Sequence, residues 1–415
     1  MKILLSAFAC APNTGSEPGV GWRWAIELAR EHEVVVVTDA TRRPLIEPYL
    51  AESPVSGLRV EFFRPYWLSA IPLNSWTAQL LYTAWQFSLW WFARRLHRAE
   101  KFDVAMHVTY GVFRHPSFLG YLGIPFAFGP LGGGEDCPWR LKRSIRGSEK
   151  IKEVLRAAVN KVSLLDPFLW IAFAGASSIL VKTEETRKAL PWPFRQRAVV
   201  YPEIGIDTLP GVVPTRRTPI EPLRVLFAGR LLGWKGAHLA IRAVVLARSR
   251  GVPVDFTLLG RGPYEAELHR LAFQLGCQGD INWISQIPQQ ELFALYGTMH
   301  CFLFPSLHDS SGNVVLEAQA NGLPVVCLAL GGPETLLSHE SAIVVPAEGD
   351  EASVVELLAA ALQALFADED RRLTMAETAI QHADSFTWGG RAFGALASIS
   401  RRGPGETGQN SLEKI

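Results

Sequence analysis

The chain has 415 residues, of which 48% are hydrophobic and 20% are charged. At ~100–200 residues per domain this length predicts two or three globular units. The composition excludes a mainly disordered chain and a small disulfide scaffold. The net charge of +1 argues against nucleic acid as the main partner. The charge is unevenly distributed along the chain. Residues 1–205 contain 25 Lys and Arg against 18 Asp and Glu (+7), and residues 206–415 contain 16 against 22 (−6).

The first half of the chain alternates short apolar runs with helical periodicity. The opening apolar run could be a secretory signal or a core strand. A single lysine and a short apolar run make a poor secretory signal, so we predict a core strand over residues 2–8. Residues 22–30 predict a helix. Strands this uniformly apolar are buried on both faces, which predicts a parallel sheet covered by helices. The poor secretory signal predicts a cytoplasmic protein. Further strands are predicted over residues 33–38, 58–63, 102–107, 125–128 and 179–181.

Residues 65–93 form an uncharged segment that is rich in tryptophan. Its length suits a transmembrane span, but proline, asparagine and glutamine leave only residues 76–93 as an uninterrupted helix. We rank a buried or surface-docked helix first, a monotopic membrane patch second and a true span third. The segment contains Trp67, Trp76, Trp85, Trp90 and Trp91.

Basic residues recur after this segment. A solvated helix face is their ordinary interpretation. Clustered with tryptophans on a domain of net charge +7, they also suit docking on anionic lipid or binding of an acidic or lipid-linked substrate. They are Arg94, Arg95, Arg98, Lys101, Arg140, Lys142, Arg143, Arg146, Lys150, Lys152, Arg156 and Lys161.

The second half repeats the βα pattern, so the fold class is α/β with two doubly wound, Rossmann-like domains. Strands are predicted over 223–228, 254–259, 281–284, 301–304 and 324–329, and helices over 237–248, 265–275, 289–296 and 314–320. Five dispersed cysteines suggest buried apolar side chains in a reducing compartment, and their spacing predicts no metal site. The predicted units are 1–207, a proline-rich linker 208–222, 223–388, a helix 389–401 that packs back on the first domain, and a flexible tail 402–415.

Two loops of the second domain contain the clearest candidate ligand-binding residues. Arg230 and Lys235 lie in a glycine-punctuated loop between a strand and a helix, which suits a diphosphate. Asp309 follows another strand, and Glu317 lies about one turn into the next helix. Carboxylates accept hydrogen bonds from vicinal hydroxyls, so Glu317 suits a ribose and Asp309 a hexose. Gly312 lets backbone N–H groups approach a ligand at the helix N-terminus.

These motifs resemble, in order and spacing, those of the retaining glycosyltransferases of family four, which have the GT-B fold. The resemblance is strong over residues 223–346 and looser in the first half. Family members usually have two glutamates separated by seven residues, whereas this chain has Asp309 at the first position. The matching runs are GRLLGWKG, LLGRGPYEAEL, ISQIP, FPSLHDSSGNVVLEAQANGLPVV and GGPETL.

The resemblance implies roles for these residues. Arg230 and Lys235 would bind the nucleotide diphosphate and stabilise the leaving group without a metal or other cofactor. Asp309 would bind the donor sugar and Glu317 the ribose. The loop with Arg261 would lie near the base. The backbone at Gly312, Asn313 and Val314 would contact the sugar and phosphates.

The first half supplies further candidates by the same resemblance. The loop that contains Gly15 and Gly19 would face the donor phosphate across the cleft. His107, at the end of a predicted strand, is our candidate for the active-site histidine, and His115 is its competitor or an acceptor-binding residue. Glu135, in a glycine turn after another strand, would contact the acceptor.

The predicted function is transfer of a hexose, with retention, from a nucleotide diphosphate sugar to a glycan or lipid-linked acceptor in cell-surface polysaccharide synthesis. The predicted location is cytoplasmic, with peripheral contact to an anionic membrane at the inner face of the plasma membrane and no nucleic acid partner. The alternatives are a sugar-nucleotide epimerase of the same fold and a catalytically inactive module that binds nucleotide sugars and docks on membranes.

Overall fold

The computed structural model describes residues 1–68, 71–73, 77–207, 209 and 211–400. Two parallel sheets of seven and six strands form an amino-terminal and a carboxyl-terminal domain. The strand orders are β3-β2-β1-β4-β5-β6-β7 and β10-β9-β8-β11-β12-β13, so each domain is doubly wound and the predicted α/β class is confirmed. The strands are β1 (Lys2–Ser6), β2 (Glu33–Asp39), β3 (Leu58–Phe63), β4 (Val104–His107), β5 (Phe126–Leu131), β6 (Ser178–Val181), β7 (Ala198–Val200), β8 (Leu223–Ala228), β9 (Val254–Leu259), β10 (Ile281–Ile284), β11 (Cys301–Phe304), β12 (Val325–Leu328) and β13 (Ala342–Val345).

Helices cover both faces of each sheet, which is why β4, β5, β11 and β12 are buried along their whole length. In the amino-terminal domain they are α1 (Ser16–Ala29), α2 (Arg43–Glu52), α3 (Ala78–Glu100), α4 (Trp139–Lys142), α5 (Gly147–Ser163), α6 (Pro167–Gly175), α7 (Glu184–Ala189) and α8 (Trp192–Arg195). The later ones are α9 (Ala237–Ser249), α10 (Glu265–Gln274), α11 (Gln289–Tyr296), α12 (Asn313–Ala320), α13 (Gly331–Leu336), α14 (Glu351–Ala367), α15 (Glu369–Asp384) and α16 (Trp388–Ser400).

Every strand predicted above lies in one of the two sheets, with ends shifted by a few residues. The sequence patterns missed β7 and β13, which are short edge strands of the two sheets. Both strands are only partly buried, since Val199 and Val200 of β7 and Ile343 and Val344 of β13 are half-exposed at the sheet edges. All five cysteines are buried and free, as the apolar runs around them predicted.

The last helix returns to the amino-terminal domain. Helix α16 packs on α1 and on strands β5 and β6. The Tyr201 hydroxyl, just after β7, donates to the Arg391 carbonyl over 2.7 Å, and Ile206 forms an isolated bridge with Thr387. Two positions of the predicted linker, Thr208 and Pro210, and the predicted tail 402–415 with Arg401 lie outside the described residues.

The aromatic segment 65–93 is partly buried in the core and partly exposed. The Trp85 side chain on α3 is fully buried and donates from Nε1 to the Phe63 carbonyl over 2.8 Å. Trp91 on the same helix is 63% exposed, and Trp76 lies outside the described residues. In the part of the chain that the structure describes, no single helix has the length and apolar character to cross a membrane, and only the bent pair α5 and α6 passes by length and composition together.

Candidate active site

The first loop of the site follows β8. A 3-10 turn over Gly233–Lys235 leads directly into helix α9. Gly236, between the two, has φ +77°, and a Cβ there would lie 1.9 Å from the Pro305 carbonyl oxygen, so this position requires glycine. The Arg230 side chain is exposed, and among the described residues its guanidinium forms no ion pair. The loop therefore presents a free cation beside a helix N-terminus.

The second loop joins β11 to α12 and is tied to the first by a buried ion pair. The Asp309 carboxylate pairs with the Lys235 ammonium through Oδ2 and accepts from the Ser311 N–H through Oδ1 over 3.3 Å. Burial alone would raise the pKa of Asp309, but Lys235 and the backbone N–H groups of Ser311 and Gly312 hold it below its usual value. The carboxylate is therefore ionised at neutral pH.

The Lys235 ammonium is also enclosed by aromatic rings. It lies 4.6 Å from the ring centroid of Trp234 and 5.1 Å from that of Phe304. Its side chain is 15% exposed. A cation held by rings and one carboxylate has unused N–H donors that a diphosphate can take.

Glu317 lies on α12, one turn after the Gly312 cap. Gly312 has φ +67°, which lets the chain turn into the helix with its N–H groups facing the loop. In the described part of the chain no side chain hydrogen bonds to the Glu317 carboxylate, and burial raises its pKa. Its oxygens are therefore available to the hydroxyls of a ligand.

Arg261 follows β9 in a loop that contacts the first loop. The Leu231 N–H donates to the Arg261 carbonyl over 2.8 Å. A Cβ at Gly260 would lie 1.9 Å from the Gly229 carbonyl oxygen, so glycine permits this close approach. The Arg261 side chain is exposed. The structure thus brings Arg230, Lys235, Arg261, Asp309 and Glu317 to the carboxyl ends of β8, β9 and β11.

The amino-terminal glycine loop ends at Gly15, and α1 begins at Ser16, so Glu17 and Gly19 lie in the first turn of the helix. A Cβ at Gly19 would lie 2.1 Å from the Thr14 carbonyl oxygen, whereas Gly15 faces open space. Glu17, between them, accepts from the Tyr110 N–H over 2.8 Å and from the Lys182 ammonium over 3.3 Å.

Lys182 links this loop to the second loop of the other domain. Its buried ammonium lies 2.6 Å from Glu203 Oε1, 3.3 Å from Glu17 Oε1 and 3.2 Å from Ser311 Oγ. The Ser311 hydroxyl donates to Glu203 over 2.7 Å. Burial alone would lower the pKa of Lys182, but Glu17 and Glu203 raise it, so the ammonium stays charged. We call Glu17, Lys182, Glu203 and Ser311 the cross-domain cluster.

Sequence reasoning missed the cross-domain cluster. Glu17 lies between the two glycines of the predicted loop, and Lys182 and Glu203 belong to none of the predicted motifs. The one available signal was a lysine directly after the apolar run of β6, at a carboxyl end where ligands gather. Its partners are far away in the sequence, so no local pattern could have indicated the ion pairs.

The candidate acceptor residue Glu135 is buried, and both its oxygens are occupied. Oε1 accepts from the hydroxyls of Thr183 and Thr186 over 2.7 Å each, and Oε2 accepts from the Gly133 N–H over 2.8 Å. The side chain therefore braces the glycine turn. In this turn, a Cβ at Gly132 would lie 2.9 Å from the Ser310 Cβ, so the two domains touch here. Acceptor contact by Glu135 stays a prediction.

The two candidate histidines lie together on the α3 side of the first sheet. His107 is fully buried, with Nε2 3.0 Å from the Tyr82 hydroxyl and Nδ1 3.4 Å from Gln86 Nε2. Burial, with a smaller contribution from His115, lowers its pKa to about 3. Burial and Arg114 lower the pKa of His115 to about 4. Both rings are neutral at pH 7, and their predicted roles in catalysis and acceptor binding stay predictions.

The model of the family described as "Glycosyl transferases group 1" matches residues 216–382 of this chain, which contain both loops of the site. Residues 216–382 belong to the glycosyl transferases group 1 family. The predicted family is thereby confirmed where its motifs are strongest. The group 1 region also includes Arg230, Lys235, Arg261, Asp309 and Glu317.

Curated relatives match part of the chain. A D-inositol 3-phosphate glycosyltransferase from Corynebacterium aurimucosum is 33% identical over 181 residues, 42% of this chain and 42% of the relative. A putative colanic acid biosynthesis glycosyltransferase, WcaL, from Escherichia coli K12 is 32% identical over 169 residues, 39% of this chain and 41% of the relative. The chain thus matches less than half of the length of these relatives.

Solved structures resemble both domains together. Sucrose-phosphate synthase from Thermosynechococcus elongatus has a TM-score of 0.60 at 18% identity, over 96% of this chain and 98% of that one. Anabaena HepE in complex with UDP and glucose has a TM-score of 0.58 at 17% identity, over 97% and 100%. At these identities the likeness is one of fold, and it confirms the GT-B architecture.

Proposed function

We propose that this protein is a retaining glycosyltransferase that moves a hexose from a nucleotide diphosphate sugar to an acceptor. The observation that carries the proposal is the ion pair between Lys235 and Asp309, which joins a cationic loop to a sugar-binding carboxylate at a helix N-terminus. The exposed guanidinium of Arg230 adds a second positive charge. The group 1 match of this region and the UDP and glucose bound by HepE support the assignment.

The donor would lie across the two loops. Its diphosphate would contact Arg230, Lys235 and the backbone of residues 312–314. Its hexose would contact Asp309, and its ribose Glu317, whose carboxylate has no side-chain partner within the described residues. Its base would lie near Arg261. Each pairing matches anionic oxygens to cations and N–H groups, or hydroxyls to carboxylates.

The reaction breaks the bond between the anomeric carbon and the diphosphate oxygen and forms a bond to the acceptor oxygen on the same face. The departing diphosphate oxygen takes the acceptor proton, so retention needs no protein carboxylate at glycosidase spacing. Arg230 and Lys235 stabilise the negative charge as it develops. The cross-domain cluster and the contact of Gly132 with Ser310 hold the domains together and limit hydrolysis by water.

The acceptor in this proposal is a glycan or a lipid-linked intermediate of cell-surface polysaccharide synthesis. The name of the relative WcaL supports that setting. We also propose that the protein works in the cytoplasm at an anionic membrane, which suits a lipid-linked acceptor and the net charge of +7 on residues 1–205.

Nucleotide release tests the proposed reaction. Purified protein is incubated with UDP- and GDP-sugars, with and without a lipid or cell extract, and released nucleotide is measured. We expect one donor to release nucleotide in proportion to acceptor, and the product to keep the donor's anomeric configuration by NMR. Tight nucleotide binding without turnover on any donor would favour an inactive binding module, and epimerised donor would favour an epimerase.

Chelation tests whether Arg230 and Lys235 supply the positive charge that the leaving group needs. We propose that transfer requires no metal ion, because two cationic side chains lie on the diphosphate loop. Activity after EDTA treatment and gel filtration is therefore expected to equal the untreated activity within about twofold. A loss that Mg²⁺ or Mn²⁺ restores would contradict this part of the proposal.

A further inference from the structure

Helix α5 is amphipathic, but its polar side faces the protein and its apolar side faces the solvent. Its buried residues are the acidic Glu149 and Glu153, while Ile151, Leu155 and Val162 are 63%, 59% and 66% exposed. At 100° per residue these three side chains lie on one stripe opposite the two glutamates. A surface helix of a soluble protein normally buries its apolar stripe, so the exposed stripe of α5 indicates an interaction surface.

The inner face of α5 contacts the donor loops, which explains why it is polar. Glu153 Oε2 lies 2.8 Å from His308 Nε2, next to Asp309 in the second loop. The His308 ring stacks on Trp234 with centroids 4.5 Å apart. A Cβ at Gly233 would lie 3.2 Å from the Glu149 Cβ. One side of the helix therefore supports the proposed donor site, and the other side faces away from it.

The apolar stripe continues onto α6, which follows α5 at a bend of 68°. Leu165 in the connection is 82% exposed, and Phe168 and Ile171 on α6 are 48% and 42% exposed. We call these residues together the α5–α6 face: Ile151, Leu155, Val162, Leu165, Phe168 and Ile171.

The exposed charges of α5 that flank the α5–α6 face are positive. Lys150, Lys152 and Lys161 are exposed on its two margins, and Lys152 pairs with Glu149 over 2.6 Å. The one acid of the connection, Asp166, is half-buried and accepts from the Phe168 N–H as the cap of α6. Both glutamates of α5 point inward instead, so the helix presents apolar and cationic groups outward. Apolar and aromatic side chains bordered by lysines are typical of segments that lie in the headgroup region of an anionic bilayer. Protein interfaces, by contrast, are depleted of lysine.

We propose that the α5–α6 face docks on an anionic lipid bilayer. The proposal deepens the proposed function, on which it rests for the lipid-linked acceptor. It places the docking surface on α5 and α6 and not on residues 65–93, where the sequence had suggested it. Because the opposite side of α5 contacts the loops around Lys235 and Asp309, docking would set the donor cleft beside the membrane surface.

Co-sedimentation with vesicles tests the docking surface. The full chain is mixed, without sugar nucleotide, with vesicles of phosphatidylcholine alone or with phosphatidylglycerol added. We expect binding to the anionic vesicles and a reduction of the bound-to-free ratio by about tenfold or more in Leu155→Ser/Val162→Ser. Lys150→Glu/Lys161→Glu should also weaken binding. Phe273→Ser/Leu357→Ser, which changes two exposed apolar residues of the other domain, is the matched control and should bind like the wild type.

Three outcomes would overturn the docking surface. They are a wild-type protein that stays in the supernatant with both vesicles, a Leu155→Ser/Val162→Ser variant that sediments like the wild type, and a wild-type dimer in light scattering that this variant dissociates. Circular dichroism shows whether each variant is folded, and titration with UDP shows whether it still binds a nucleotide. Together they separate the docking surface from the proposed glycosyltransferase function. Loss of UDP binding with vesicle binding intact would remove the proposed function and leave the docking surface standing.

Discussion

Replacing Lys235 with alanine is expected to lower kcat/KM for glycosyl transfer by about 10²–10³-fold, the effect of deleting one donor that faces developing charge. The ammonium lies under Trp234 and beside Asp309, where little water screens it. Its loss removes a cation from the leaving diphosphate and leaves Asp309 buried without its ion-pair partner. The measurement is the initial rate of acceptor-dependent nucleotide release over a range of donor concentrations.

Lys188→Ala is the control for this substitution, because its side chain is 71% exposed on α7. It should retain full activity, and both variants should have the circular dichroism spectrum of the wild type. Lys235→Ala with a kcat/KM within a few-fold of the wild type would show that the leaving group gains its stabilisation elsewhere, which would contradict the proposed site.

Replacing Lys182 with methionine is expected to destabilise the protein by about 3–5 kcal/mol, the cost of removing one member of a buried ion pair. Methionine fills a similar volume but leaves Glu17 and Glu203 facing each other without a cation. It also removes the hydrogen bond to Ser311, two residues from Asp309. We expect a lower unfolding midpoint in thermal and denaturant titrations, together with weaker donor binding.

Lys188→Met tests the same change of side chain on an exposed lysine nearby, and it should alter the free energy of unfolding by less than about 0.5 kcal/mol. Glu203→Gln is a milder probe, because the amide oxygen still accepts from Lys182. A midpoint for Lys182→Met equal to those of the wild type and Lys188→Met would mean that the cross-domain cluster does not hold the domains together.

The loops of Lys235 and Asp309 were predicted from the sequence because each residue belongs to a local pattern, whereas the ion pair between the two side chains was not predicted. A strand, a glycine turn and a helix start surround each of them, and carboxyl ends of neighbouring parallel strands meet at one edge of a sheet. Adjacency of β8 and β11 then brings the two loops together. The α/β class and most strand positions followed from the same local patterns, and the match of residues 216–382 to the group 1 family followed from the resemblance of these motifs to a known family.

The sequence was less informative about the orientation of side chains. His107 ends a strand at the predicted place, but its ring turns to Tyr82 and Gln86 under α3. Glu135 lies in the predicted glycine turn, but three donors from the surrounding backbone and threonines occupy it. The position of a residue along a strand can be predicted from periodicity. The direction of its side chain and its hydrogen-bond partners depend on the helices and loops that pack against the strand.

Local periodicity and glycine spacing in the sequence were sufficient to predict two doubly wound domains and the two candidate loops after β8 and β11. The residues that join the domains and the surface that is left apolar became known from the three-dimensional structure, because they depend on contacts between distant parts of the chain. Lys182 gains its charged partners from positions 17 and 203. Helix α5 turns its acids inward because the donor loops supply polar contacts there, and its apolar stripe is consequently exposed.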